Sequence, residues 1–111
     1  MIDLHCHILP GVDDGSPDAE ISLSMARHAA ESGVTAIAVT PHCNLPGFRR
    51  NYRGPDYRRQ LNDLRELLTQ ENIPLRLYSG AEVFADPSNI RTLIEQHELI
   101  TLGGSRYLLV E

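Results

Sequence analysis

The apolar residues of this chain follow two kinds of pattern that alternate along its length. Short β-prone runs occupy Met1 to Leu4, Val34 to Thr40 (Val-Thr-Ala-Ile-Ala-Val-Thr), Leu75 to Val83 and Arg106 to Glu111. Runs of this kind fit strands covered on both faces, as in parallel sheets. Stretches with helical spacing lie between them. Tyr57, Leu61, Leu64 and Leu68 recur at +4, +3 and +4, one stripe of a helix over Asp56 to Asn72. Ile21, Met25 and Ala29, with Leu23, Ala26 and Ala30, make the apolar face of an earlier helix. Ser16 is its expected N-cap, Pro17 its first helical residue and Gly33 its stop. A third helix is expected to begin at Asp86-Pro87, with Ile90, Leu93 and Ile94 inward and His97 as solvent-facing or C-cap decoration at its polar end. Strands and helices in strict alternation predict an α/β fold with about four parallel strands and three helices.

In such folds, sites gather at the C-terminal ends of strands. All four expected strands carry metal-type ligands there: His5 and His7, then His42, then Glu82, then Glu111. Residues two apart on a strand share a face, so His5 and His7 aim their rings together while Cys6 turns away. Asp13-Asp14-Gly15 is good turn chemistry, and it also sets two carboxylates a few residues beyond the paired histidines. His28 lies on a helix with nothing at ligand spacing near it and reads as a surface or structural residue. A set of nitrogen and oxygen donors suits zinc, iron or manganese without choosing among them.

A length of 111 residues suits one modest domain. The net charge of -5 argues against general nucleic-acid binding, although the charge is uneven. All ten basic residues are arginine, and Arg49, Arg50, Arg53, Arg58 and Arg59 fall within eleven positions. The loop from Asn44 to Pro55 holds three of them. No run approaches the ~18 apolar residues of a membrane span, and the first residues do not read as a secretory signal. Cytoplasmic location and free thiols at Cys6 and Cys43 are therefore expected.

Met1-Ile2-Asp3-Leu4-His5-Cys6-His7-Ile8-Leu9-Pro10-Gly11-Val12-Asp13-Asp14-Gly15 resembles the opening of the polymerase-and-histidinol-phosphatase (PHP) superfamily. More narrowly, it is similar to the metal-dependent tyrosine-protein phosphatases of bacterial capsule and exopolysaccharide loci. Thr40-Pro41-His42, Gly80-Ala81-Glu82 and Tyr107-Leu108-Leu109-Val110-Glu111 match later blocks of that subfamily in order and approximate spacing. The resemblance implies a distorted (β/α)7 barrel with up to three metal ions, often manganese. His5 and His7 would hold the first ion, Glu82 would bridge it to a second shared with Glu111, and Asp14 and His42 would serve a third. Either Asp13 or Asp14 could be the aspartate ligand. The implied reaction is hydrolysis of phosphotyrosine on a bacterial tyrosine kinase or exopolysaccharide regulator, with Arg49, Arg50 and Arg53 as a docking surface for the anionic phosphopeptide or simply a solvated charged loop. Residues 1–111 would then be the N-terminal portion of one barrel domain, since a full barrel needs about 250 residues and the later histidine and Asp-x-His blocks lie outside this sequence. Such a portion alone is expected to bind metal poorly and turn over slowly.

Three alternatives stand beside this. One is another PHP phosphoesterase, such as a histidinol-phosphatase. A second is a cysteine-dependent phosphatase, because Cys43 and Arg49 have Cys-x5-Arg spacing. The third is a structural zinc module built from Cys6, His7, His42 and Cys43.

Overall fold

A computed structural model of the chain describes residues 1–47 and 54–111, so Arg49, Arg50 and Arg53 lie outside the described residues. The elements run β1 (Ile2–Cys6), α1 (Ala19–Glu31), β2 (Ala36–Val39), β3 (His42–Cys43), α2 (Pro55–Gln70), β4 (Arg76–Ser79), β5 (Glu82–Val83), α3 (Ile90–Glu95), a short 3-10 turn (Leu102–Gly104) and β6 (Leu109–Val110). Every strand pairing is parallel. They build two small sheets, ordered β1-β2-β4 and β3-β5-β6.

The expected mixed α/β alternation is present, but one expected strand is divided and another is followed by an unexpected short strand. Val34 to Thr40 continues past Pro41 into β3, and Leu75 to Val83 splits around Gly80 and Ala81. Pro41 has no N–H to donate, so the β2 ladder cannot run through it. At Gly80 a Cβ would come within 3.0 Å of Leu102 Cδ2, 3.2 Å of Thr40 Cγ2 and 3.3 Å of Val39 O, so a side chain there would have to push its neighbours aside by a few tenths of an ångström. Backbone groups released from a ladder still need partners. The Tyr57 hydroxyl supplies them, accepting from Gly80 N at 3.1 Å with Gly80 O and Val39 O as acceptors at 2.9 and 3.2 Å. Both segments thus leave the first sheet and enter the second, where His42 pairs with Glu82 in register.

Helix α2 follows its sequence stripe, burying Tyr57, Leu61, Leu64 and Leu68 against a core that includes Ile37, Val39, Leu77 and Val83. Each such side chain taken fully from water stabilises by about 1.5–3 kcal/mol. Helix α1 starts later than expected. Asp18, not Ser16, is its N-cap, with Oδ1 accepting from Ile21 N at 2.9 Å. Ser16 is instead buried, its hydroxyl 2.7 Å from that of Ser22. Because Ser22 and Ala26 face the core, Ile21 is rotated out and is 45% exposed. Helix α3 is also shorter than expected, Ile94 lies outward, and exposed His97 takes a left-handed φ of 55° just after the cap. The last strand narrows to Leu109–Val110. No described helix is long and apolar enough to cross a membrane.

Candidate metal centre

Three of the four expected sites meet around one oxygen. Glu82 sits on β5 in the interior, and its Oε2 lies 3.2 Å from His5 Nε2, 3.0 Å from His7 Nε2 and 3.3 Å from His42 Nδ1. His5 Nε2 and His7 Nε2 are themselves 3.1 Å apart. The His7 and His42 rings stack with centroids 4.5 Å apart, so imidazoles from β1 and β3 form one wall. Glu111 follows β6, and the Glu111 N–H donates to Val83 O at 2.8 Å. That register brings its carboxylate to 3.8 Å from His42 Nδ1. Asp14 comes from the turn after β1 and lies 3.2 Å from His42 Nε2 with its side chain 84% exposed.

The two histidines of the first strand end can hydrogen-bond each other through Nε2, but the contacts between imidazoles and the Glu82 oxygen are close without being hydrogen bonds. Glu82 Oε2 and His42 Nδ1 are buried without a hydrogen-bond partner, although they face one another. An unpaired buried carboxylate oxygen is costly. The partners of His7 sharpen the point. Its Nδ1 is 3.0 Å from Asp13 Oδ2, and a carboxylate only accepts, so Nδ1 carries the hydrogen. In its neutral form the ring then turns a lone pair at Nε2 toward both the Glu82 oxygen at 3.0 Å and His5 Nε2 at 3.1 Å. A cation between His7 Nε2 and the Glu82 oxygen would satisfy both acceptors. Ligands about 2.1 Å from one ion are separated from each other by about 3.0–3.4 Å, which is the spacing seen here. Among the described residues, three overlapping groupings bring their ligand atoms within 4.8 Å of one another: His5, His7 and Glu82; His42, Glu82 and Glu111; and His7, Asp13, Asp14 and His42. All are nitrogen and oxygen donors, so the residues present fit divalent ions of the zinc, iron and manganese type.

The two aspartates are in different situations. Asp13 Oδ1 accepts from Gly15 N at 2.9 Å, and Oδ2 accepts from His42 N at 3.0 Å as well as from His7. Burial pushes the Asp13 carboxyl up, but the His7 side chain and the Gly15 and His42 N–H groups outweigh it and hold the acid below its ordinary value. This double engagement of Asp13 went unseen in the sequence. Its signal was the Asp-x-Gly pattern, in which an aspartate side chain accepts from the backbone two residues on.

Both thiol alternatives lose their basis. Cys43 is fully buried, and burial pushes its thiol up to about 11. A nucleophilic cysteine needs the opposite shift. Arg49, the other half of that motif, lies outside the described residues. Cys6 is likewise raised to about 11, by burial and then by the charge of Asp3. No candidate metal grouping among the described residues includes either sulfur. Both cysteines are free, and His28 is exposed on α1 as expected.

Comparison with known proteins agrees with the geometry. Residues 1–111 match the family described as capsular polysaccharide synthesis, CpsB/CapC. The chain is 36% identical over 111 residues to tyrosine-protein phosphatase YwqE of Bacillus subtilis (strain 168), spanning all of this chain and 42% of that protein. It is 33% identical over 113 residues to tyrosine-protein phosphatase CpsB of Streptococcus pneumoniae, covering 44% of it. A crystal structure from work on those two phosphatases, described there as unique metal-dependent tyrosine phosphatases, superposes with a TM-score of 0.85 at 35% identity. It covers 99% of this chain and 43% of that one. The chain therefore spans less than half the length of the relatives it matches, and over all of its residues it belongs to the CpsB/CapC family of capsular polysaccharide synthesis proteins.

Proposed function

We propose that this chain supplies metal ligands to a manganese-dependent protein-tyrosine phosphatase acting on phosphotyrosine in a bacterial tyrosine kinase or exopolysaccharide regulator. The observation that carries this is the buried Glu82 oxygen, which has imidazole nitrogens from two strands within 3.3 Å and a hydrogen bond to none of them. In this reading His5, His7 and Glu82 hold one ion, Glu82 and Glu111 share a second, and His42 with Asp14 serves a third. Bound there, divalent ions lower the pKa of a water and neutralise the charge of a phosphoryl group in in-line displacement. The protein's own part is to hold these donors rigidly at one rim and exclude competing partners from Glu82. Arg49, Arg50 and Arg53 offer charge that can dock an anionic phosphopeptide. A cytoplasmic location fits a kinase or regulator as substrate. The two parallel sheets are read as part of a distorted (β/α)7 PHP-type barrel, with residues 1–111 its N-terminal portion. Because relatives named as phosphatases are more than twice as long, the 111 residues alone are expected to bind metal weakly and turn over slowly.

Titration with Mn2+ and Zn2+ by calorimetry tests the centre, and hydrolysis of phosphotyrosyl against phosphoseryl peptides tests the reaction. Glu82→Gln keeps the shape and removes the shared anion, so it should weaken metal binding at least tenfold. Unchanged affinity in that variant, or activity that survives a chelator, would overturn the proposal.

A further inference from the structure

The turn that leads from β1 into α1 is more closely built than a solvent loop requires. Asp13 has a side chain only 3% exposed, in a segment whose next residue is 84% exposed. Its two oxygens receive donors from three places: the His7 ring, the His42 backbone and the Gly15 backbone. Gly15 closes the turn so tightly over His7 that a Cβ there would lie 2.4 Å from both His7 Cβ and His7 O. Ser16 N completes the clamp by donating to His7 O at 3.0 Å.

We propose that Asp13 is a positioning residue that fixes the orientation and tautomer of His7 and ties that ring to the strand carrying His42. The inference rests on the metal-centre reading for its purpose, although the tautomer it assigns can be measured without any ion. With Nδ1–H pointed at Asp13, the neutral His7 ring presents a bare Nε2 toward Glu82, the atom 3.0 Å away. Carboxylates placed behind a histidine ligand in this way set the tautomer and raise the basicity of the facing nitrogen. The second tie, from His42 N to the same Oδ2, means that one carboxylate oxygen sets the spacing between the His7 ring, just after β1, and the backbone of β3 at His42. Both lone-pair directions of Oδ2 are taken, so service as a direct ligand through it would require giving up one of these donors. Asp14 carries no such engagement, so the adjacent acids divide the work: one faces inward to hold the ring, and the other is open toward His42 Nε2.

The test combines nitrogen-15 NMR of the histidine rings with metal titration of the 111-residue chain. In the metal-free parent, long-range proton–nitrogen correlations should show His7 protonated at Nδ1 and bare at Nε2. Asp13→Asn keeps the volume but leaves one acceptor oxygen and an NH2 among three N–H donors, so His7 should no longer be held exclusively as the Nδ1–H form. Asp13→Ala should leave a mixture of tautomers. Both variants should bind Mn2+ and Zn2+ about 10–100-fold more weakly than the parent, the loss typical of second-shell partners. A His7 that is Nε2–H in the parent, or that stays wholly Nδ1–H in every variant that folds, overturns the assignment, as does affinity within twofold of the parent in both variants. The His7 tautomer of the metal-free parent decides whether Asp13 holds the ring even if the 111 residues alone bind neither ion. Should Asp13→Ala fail to fold, the parent spectrum and the isosteric Asn variant carry the decision.

Discussion

Gly15→Ala adds a single methyl group at the point where the chain after β1 doubles back on His7. The added carbon would sit 2.4 Å from His7 O and His7 Cβ and 3.1 Å from Asp13 Oδ1. The two nearest atoms are a main-chain oxygen and the root of a side chain, so no rotamer change relieves the contact. Restoring an ordinary separation of about 3.4 Å requires a displacement of about 1 Å. That movement stretches the Ser16 N to His7 O hydrogen bond, now 3.0 Å, to about 4 Å and loses it. Overpacking of this kind costs about 1–3 kcal/mol and the lost bond about 1 kcal/mol. Reduced freedom of the unfolded chain returns about 0.4–1 kcal/mol. A net destabilisation of about 2 kcal/mol is expected, lowering the melting temperature by about 8 °C. Urea unfolding of parent and variant measures it. The same shift moves the Asp13 carboxylate off His7, so the His7 tautomer should be lost in the folded variant. A variant with the parent's urea midpoint and an undisturbed His7 would show that the close approach has been misjudged.

Tyr57→Phe should cost about 1–3 kcal/mol, because Gly80 N–H loses its partner in the interior. Burial raises the Tyr57 hydroxyl above its ordinary 10.0, with Gly80 and Arg65 only partly offsetting it. The unfolded chain therefore loses this proton first, so the stability it contributes is whole below about pH 10 and declines as pH rises further. Urea midpoints measured from pH 8.5 to 11 should fall more steeply for the parent than for the Phe variant. Thiol labelling at pH 8 should leave Cys43 unreacted in the folded chain and modify it fully in denaturant, since its thiol is buried with a pKa of about 11. Asp18→Ala removes the acceptor for Ile21 N and should cost about 1 kcal/mol of stability while leaving metal affinity unchanged, as calorimetry would show.

Periodicity carried the helices well where one residue type dominated a face. The leucine stripe of α2 needed nothing beyond its own spacing. The start of α1 was harder, because Ser16, Asp18 and the proline between them are all competent near an N-terminus. What decided it was tertiary: the Ser16 hydroxyl is drawn into the interior by Ser22 and by Asp18 O, leaving Asp18 free to cap. Ile21 misled for the same reason, since a polar Ser22 occupies the inward position only because partners wait for it there. The ligand-type residues were legible from their places after β-prone runs, a local feature. The inward and outward roles of Asp13 and Asp14 were not, because they depend on where β3 brings the His42 backbone.

The breaks after β2 and β4 explain why the site forms at all. Had Val34 to Thr40 run straight on, alternation would have fixed the directions of the residues after it by the pleat of the first sheet. Pro41 interrupts that ladder, and Gly80 lets the neighbouring strand bend past Thr40 and Val39 at the same level. Both chains then re-pair as β3 and β5 with His42 opposite Glu82. The carboxylate from one chain and the imidazole from the other become nearest neighbours, with His5 and His7 approaching from the end of β1. Pro41 and Gly80 are therefore the residues that separate a scaffold sheet from a ligand-bearing one. Tyr57 joins the two halves of this device, because its hydroxyl contacts Val39 and Gly80 at once. Helix α2 thereby sets the height of the break on both strands, and with it the distance across which Glu82 meets the histidines.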